Sequence, residues 1–413
     1  MKRCRGSHGR KFRSLVAIAA LASVGLTACA AEDSGSDDNV VKVGLLSAYT
    51  GPLAIYGPAW EAGFRAGLED LTDGTYEVDG VKIEIEVKDG AGDPATGLTM
   101  AKELIGEGTD VILGTASSSV AISVAQTAVE NDVLFIAGAA STPQLNAMGP
   151  GIFRTSLDVR TINNSVLELV KQDGGKRIAY VGQDYAYGQD QAKALAAQAE
   201  DAGLTVEKFL LPVSTHDFTS GVAKIMSSGV DTLYVGWTGE GLAQLFQALV
   251  SQGAFKPDSP VRVVSLAPAP EEFKTVASAV GDESLKTFQL VNVYAENATG
   301  TAAEKVLDAY TAKAKDPVAI GPQQAYGYLG AQMLVKAIKD GGADLKPDVV
   351  NEALAGATFE SVQGTVSIRA EDHLVEAPMF EYRLVKDADG YHLEQVSEMP
   401  FTSIEPPVEK SIS

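Results

Sequence analysis

Two stretches of small, hydroxyl-bearing residues offer the clearest chemistry in this sequence. Val111-Ile112-Leu113-Gly114 runs into Thr115-Ala116-Ser117-Ser118-Ser119, and Leu134-Phe135-Ile136 runs into Ala137-Gly138-Ala139-Ala140-Ser141-Thr142-Pro143. A serine or threonine hydroxyl can cap a helix or donate to a carboxylate, while glycine and alanine let a ligand approach the backbone closely. Where such a loop opens a helix, the backbone N–H groups of the first turn face outward and favour an anion. Pro143 suits the first helical turn. Singly, Ser118 and Thr142 read equally well as N-caps worth ~1 kcal/mol each. Together, on neighbouring strands of one parallel sheet, the two loops read as a floor for an anionic group. That is binding chemistry rather than turnover.

The signatures of turnover are missing. The sequence has no Gly-x-Gly-x-x-Gly after its first strand, no Gly-x-x-x-x-Gly-Lys, no His-Glu-x-x-His, no Gly-x-Ser-x-Gly and no Ser-x-x-Lys. Four histidines occur, of which His8 lies in the basic N-terminal segment; His216, His373 and His392 stand apart in polar stretches and read as solvent-facing. No metal site, no cofactor and no enzyme activity is expected. Carboxylates are abundant, and on so acidic a chain most of them form a solvated face.

These loops need a sheet to position them, and the apolar runs supply one. Val41–Leu46, Val81–Val87, Val111–Leu113, Val133–Ile136, Ile178–Val181, Thr205–Leu211, Leu233–Val235, Val261–Val264 and Phe288–Val293 read as strands, most of them continuous in the manner of parallel strands buried on both faces. Helical stripes fill the gaps. Asp93-Pro94 reads as an N-cap followed by proline at the first helical position, and Trp60, Phe64, Leu68 and Leu71 fall on one face, with Trp60 expected in the core.

The series of βαβ units is too long for one ordinary sheet, which predicts two doubly wound Rossmann-like lobes of an α/β fold. The break falls near Leu157–Arg160, giving a first lobe over 41–158 and a second over 159–291. Helical segments in 292–360 return to the first lobe, and strands within 361–400 pass between the lobes or finish them, unless they form a local antiparallel sheet. Residues 401–413 form a tail.

At the N-terminus, Lys2, Arg3, Arg5, Arg10, Lys11 and Arg13 precede an apolar run, Leu15–Leu26, that ends in Leu26-Thr27-Ala28-Cys29. This resembles a bacterial lipoprotein signal, with 1–28 removed and Cys29 diacylated. The run is too short for a stable bilayer span of ~20 residues. Residues 29–40, poor in apolar residues through Asn39, read as a flexible tether. Only two cysteines occur, Cys4 and Cys29, so the mature chain would hold no disulfide. Loss of six cations from 33 leaves 27 against 54 acidic residues, a net charge of about −27. Nucleic acid and anionic lipid headgroups are therefore excluded as partners, and membrane association is expected through the lipid anchor alone.

Read together, Val41-Lys42-Val43-Gly44-Leu45-Leu46-Ser47 with Thr50-Gly51-Pro52, then Asp89-Gly90-Ala91-Gly92-Asp93-Pro94, the two hydroxyl-rich loops and Asp184-Tyr185-Ala186-Tyr187-Gly188 carry a resemblance over nearly the whole mature chain. The sequence resembles the leucine/isoleucine/valine-binding proteins and their relatives, the type I periplasmic solute-binding proteins of ABC transporters. The resemblance implies two Rossmann-like lobes joined by a three-segment hinge and closing on a small organic solute, an amino acid, an organic acid or an amide. It implies that Ser118, Ser119, Ala140 and Ser141 surround a ligand carboxylate, that the Ala139 carbonyl faces an ammonium, and that Tyr56, Tyr187 and Trp237 enclose the ligand. An ABC permease is the implied partner and a monomer the implied state; a sensory receptor for the same solutes is the alternative. Amino-acid binders of this family place an acid where this chain has Ala269 within Ser265–Glu271, so either Glu271 substitutes or the ligand has no ammonium. Ser117 stands where some members carry a disulfide cysteine.

Overall fold

The apolar runs of the sequence become strands buried on both faces, and the helices between them cover those faces. The computed structural model describes residues 39–268, 272–294, 302–315, 318, 320–388 and 390–409. The N-terminal signal, the tether through Asp38 and Cys29 lie outside the described residues, as do Ala269 and Glu271.

The first part of the chain comprises β1 (Val40–Ser47), α1 (Tyr56–Leu71), β2 (Glu77–Val78), β3 (Val81–Asp89), α2 (Pro94–Gly106), β4 (Val111–Gly114), α3 (Ser118–Glu130), β5 (Leu134–Ala137), a 3-10 turn (Pro143–Leu145) and β6 (Ile152–Arg154). Its sheet has the order β2-β3-β1-β4-β5-β6, parallel except for the β2 hairpin at the edge. The chain reverses direction across the sheet between β1 and β4, the switch point at which open α/β sheets take ligands. Register places Leu46 beside Gly114 and Gly114 beside Ala137, so the two hydroxyl-rich loops leave the sheet at one level. The Asp93 carboxylate accepts from the Thr96 N–H at 2.8 Å, as the N-cap reading required.

The second part comprises α4 (Val159–Gln172), β7 (Arg177–Gln183), α5 (Ala186–Asp201), β8 (Thr205–Leu211), α6 (Thr219–Ser227), β9 (Thr232–Val235), α7 (Leu242–Ser251), β10 (Arg262–Leu266), α8 (Phe273–Val280), α9 (Asp282–Leu285) and β11 (Gln289–Asn292). The remainder is α10 (Ala302–Lys313), α11 (Pro322–Gly341), α12 (Pro347–Leu354), β12 (Thr358–Ser361), β13 (Gly364–Ile368), β14 (Val375–Glu376), β15 (Met379–Lys386), β16 (Tyr391–Met399) and α13 (Phe401–Ile404). The second sheet has the order β16-β15-β11-β10-β9-β7-β8, parallel from β11 to β8 and finished by the antiparallel pair β15 and β16. Strands β12, β13 and β14 form a separate antiparallel sheet. The chain passes between the two α/β bodies at Thr155–Asp158, after Asn292, and between β14 and β15. No helix among the described residues is long and apolar enough to cross a membrane.

Trp60, Phe64 and Leu68 are buried, with the Trp60 and Phe64 rings stacked at 5.4 Å, so Trp60 is a core residue. His373 corrects the reading of it as solvent-facing: it is 8% exposed and stacks on Phe153 at 4.1 Å. Its Nδ1 lies 2.8 Å from the Ile152 carbonyl, and burial lowers its pKa. The acidic neighbours Glu371 and Asp372 made the stretch look exposed, but Arg369 pairs with Asp372 at 2.7 Å and turns the histidine inward.

Helices α1 and α11 approach until their backbones nearly touch. A Cβ at Gly63 would lie 2.0 Å from the Gln324 carbonyl oxygen, and one at Gly327 would lie 2.1 Å from the Trp60 carbonyl oxygen. Neither obstacle is a side chain that could turn away. Gly63→Ala and Gly327→Ala should each lower stability by ~2 kcal/mol or more in urea unfolding, at the upper part of the usual overpacking range. Gly106→Ala, which meets no atom within 4 Å, should be neutral or slightly stabilising. An equal response of all three would refute the close crossing.

Candidate functional site

Helix α3 begins with an open first turn. Its N-cap is Ser117, in extended conformation and making no side-chain cap bond. The first helical bond runs from Ala121 N–H to the Ser117 carbonyl at 2.9 Å. Ser118 is therefore the first helical residue rather than the cap, and the N–H groups of Ser118, Ser119 and Val120 have no acceptor within the helix. Thr142 does cap, since its hydroxyl accepts from Gln144 N–H at 3.2 Å, and Pro143 opens the 3-10 turn that follows.

The two loops are tied together through the backbone. Thr115 N–H donates to the Leu46 carbonyl and Gly138 N–H to the Gly114 carbonyl, both at 2.6 Å, and Ala139 N–H donates to the Thr115 carbonyl at 3.1 Å. Behind them Arg154 is 1% exposed and donates to the Thr142 carbonyl. Burial pulls the Arg154 pKa down to about 10, against the opposing charge of Asp158. A buried cation thus holds the backbone of the second loop.

Six of the eight residues singled out in the sequence line one cavity: Tyr56, Ser118, Ala139, Ser141, Tyr187 and Trp237. Ser119 and Ala140 do not. The Ser119 carbonyl accepts from Ser123 Oγ at 3.2 Å along the helix. Ala140 is fully buried, its carbonyl accepting from Ser156 Oγ at 2.8 Å. The cavity volume is about 120 Å³, close to the roughly 150 Å³ of an apolar cavity that admits benzene. It suits a solute of one small ring or one amino acid.

The walls come from both α/β bodies. Tyr187 stands in the first turn of α5, 7% exposed, and Trp237, 1% exposed, follows β9. Trp237 is more enclosed than a cleft-facing aromatic, because its Nε1 donates to the Glu240 carbonyl at 2.7 Å and its ring meets Phe218 edge-on at 4.9 Å. Tyr56 reaches across from the start of α1 to Thr238 and Gly239. Burial first, and then Glu272, raises the Tyr56 pKa, so its phenol stays protonated.

Sequence reasoning missed Tyr185, Thr238, Glu272, Asn292, Gln323 and Tyr326, all of which line the cavity. Asn292 left a signal, as a polar residue inside the apolar run Leu290-Val291-Asn292-Val293. Glu272 adjoins the Glu271 considered there, and it brings a carboxylate to the cavity wall beside Pro268. Ser265 is spent within the sheet, its hydroxyl donating to the Val235 carbonyl at 3.2 Å. Among the described residues no group of three or more His, Cys, Asp or Glu could hold a metal ion.

Residues 40–389 match the family model described as Periplasmic binding protein. The chain belongs to that family. It is 30% identical over 199 residues to the Leu/Ile/Val-binding protein BraC3 of Rhizobium johnstonii, covering 48% of this chain and 54% of that protein. The match thus spans about half the length of that relative. It is 25% identical over 357 residues to the leucine-, isoleucine-, valine-, threonine-, and alanine-binding protein of Pseudomonas aeruginosa, covering 85% and 91%. Among solved structures it is similar to a solute binding protein of an ABC transporter from Rhodopseudomonas palustris in complex with p-hydroxybenzoic acid, with a TM-score of 0.78, 22% identity and coverage of 88% and 98%. The two α/β bodies are the two lobes of the type I periplasmic binding protein fold.

Asp190 of α5 joins the lobes beside the cavity, accepting from Thr142 Oγ1 and from Gln144 Nε2, the latter at 3.0 and 3.1 Å. Hydrogen bonds to a charged group contribute ~1.5–3 kcal/mol. Asp190→Ala should therefore shift the population toward separated lobes at least tenfold, read as a larger radius of gyration in small-angle scattering. An unchanged radius would mean that other contacts hold the lobes together.

Proposed function

We propose that this protein is a lipid-anchored extracytoplasmic receptor that closes on a small organic carboxylate and delivers it to an ABC permease. The observation that carries this reading is the open first turn of α3. Ser118, whose N–H has no acceptor within the helix, and Ser141 both line a cavity walled by both lobes. A carboxylate placed there would satisfy donors that the helix cannot, in a region where the helix dipole favours negative charge. The Ser119 N–H belongs to the same turn and Ala140 to the same loop, so both would act through the backbone. Tyr56, Tyr187 and Trp237 would then enclose the remainder of the solute.

The relatives bind branched-chain and other small amino acids, and a structural neighbour binds a hydroxybenzoate. All of these carry a carboxylate, the group the α3 turn suits. Glu272 in the wall keeps an ammonium-bearing solute open, because it supplies the acid that Ala269 does not. Acylation of Cys29 and the permease partner follow from the N-terminal motif and from the family respectively.

A ligand at 100 times its dissociation constant stabilises the protein by ~2.7 kcal/mol. A thermal-shift screen of Glu32–Ser413 against amino acids and aliphatic and aromatic acids should therefore reveal the solute. Ser118→Ala with Ser141→Ala should weaken its binding at least tenfold by calorimetry while unfolding stays cooperative. Undiminished affinity would move the carboxylate elsewhere.

Cys29→Ser should transfer the protein from the membrane fraction to the soluble one. Retention of that variant in the membrane fraction would rule out the lipid anchor.

A further inference from the structure

The wall opposite α3 carries hydrogen-bonding atoms without partners. Asn292, 6% exposed at the end of β11, uses its Oδ1 to accept from Val293 N–H at 2.7 Å. Its orientation is thereby fixed, and its Nδ2 has no hydrogen-bond partner among the described residues. The Tyr187 hydroxyl, on a ring 7% exposed, likewise has none, and neither has the Gln323 Oε1 at the start of α11. All three residues line the same cavity.

We infer that the solute carries, besides its carboxylate, a second uncharged oxygen-bearing group, a hydroxyl, carbonyl or carboxamide, which Asn292 Nδ2 and the Tyr187 hydroxyl read from the second lobe. This rests on the carboxylate reading above and deepens it. The first-lobe wall offers donors for a carboxylate, and the second-lobe wall offers an amide donor and a phenol. A purely alkyl or unsubstituted aryl end would bury both atoms unpaired, and a site built to hydrogen-bond a hydroxyl rejects analogues lacking it by large factors. Asn292 is thus a specificity-determining residue. Tyr187 contributes more than an apolar ring, since an enclosing wall alone has no need of a buried hydroxyl.

The test uses two matched pairs of carboxylates, valine with threonine and benzoate with 4-hydroxybenzoate. The members of the first differ by a methyl for a hydroxyl, those of the second by a hydrogen. Calorimetry on the mature protein should show the hydroxylated member of the binding pair at least tenfold tighter. Asn292→Leu and Tyr187→Phe, made separately so that one folding defect does not decide the matter, should each bring that preference within about threefold. The readout is the ratio of the two affinities within each variant, not the affinity of either member alone. Equal binding of the two members, or a preference that survives both variants, overturns the proposal while leaving the carboxylate reading intact. If none of the four binds, the same comparison is made between the carboxylate found by the thermal-shift screen and its analogue lacking the polar group, and equal affinity of those two overturns the proposal.

Discussion

The contact between the backbones of α1 and α11 is the constraint on which the rest of this structure depends. Helices usually pack with their axes 8–10 Å apart because side chains stand between them. Here Gly63 and Gly327 remove that spacer, each facing a carbonyl oxygen of the other helix. The consequence is positional. Helix α1 begins with Tyr56 and α11 begins with Pro322, Gln323 and Gln324, all in the cavity wall, so fixing the two helices fixes one side of the site. Trp60, stacked on Phe64 one turn further along α1, anchors that arrangement in the core of the first lobe.

On the other side, position comes from the sheet. Strands β1, β4 and β5 end level, and the loops that follow are bonded backbone to backbone, with buried Arg154 holding the second of them from behind. Such loops are rigid because their polar groups are spent on one another. Ser118, at the open first turn of α3, and Ser141 line the cavity. The strand ends and the helix crossing therefore converge on one small volume from independent supports.

How much of this was legible in the sequence follows from what kind of signal each feature leaves. Continuous apolar runs are long-range in effect but local in pattern, so the parallel strands could be read directly. The Asp93-Pro94 cap and the Trp60 stripe were readable for the same reason. Ser118, Ala139 and Ser141 were found because small hydroxyl-rich loops after apolar strands are an unusual composition. Glu272, Thr238 and Gln323 were not found, because a single polar residue in a loop or at a helix start looks like any surface residue until the two lobes come together around the cavity. His373 failed in the opposite direction. Its acidic neighbours advertised solvent, whereas the Arg369–Asp372 pair neutralises that charge locally and lets the ring stack on Phe153.

The division of polar groups between the lobes links recognition to closure. A solute held only by the first lobe would gain nothing from the second, and a ligand shifts a conformational equilibrium only by its differential affinity for the two states. Atoms on β11 and α5 that await a partner in the closed cavity provide that differential. The Asp190 contacts with Thr142 and Gln144 contribute a ligand-independent part. The two parts differ in kind, since only the first depends on which solute lies in the cavity.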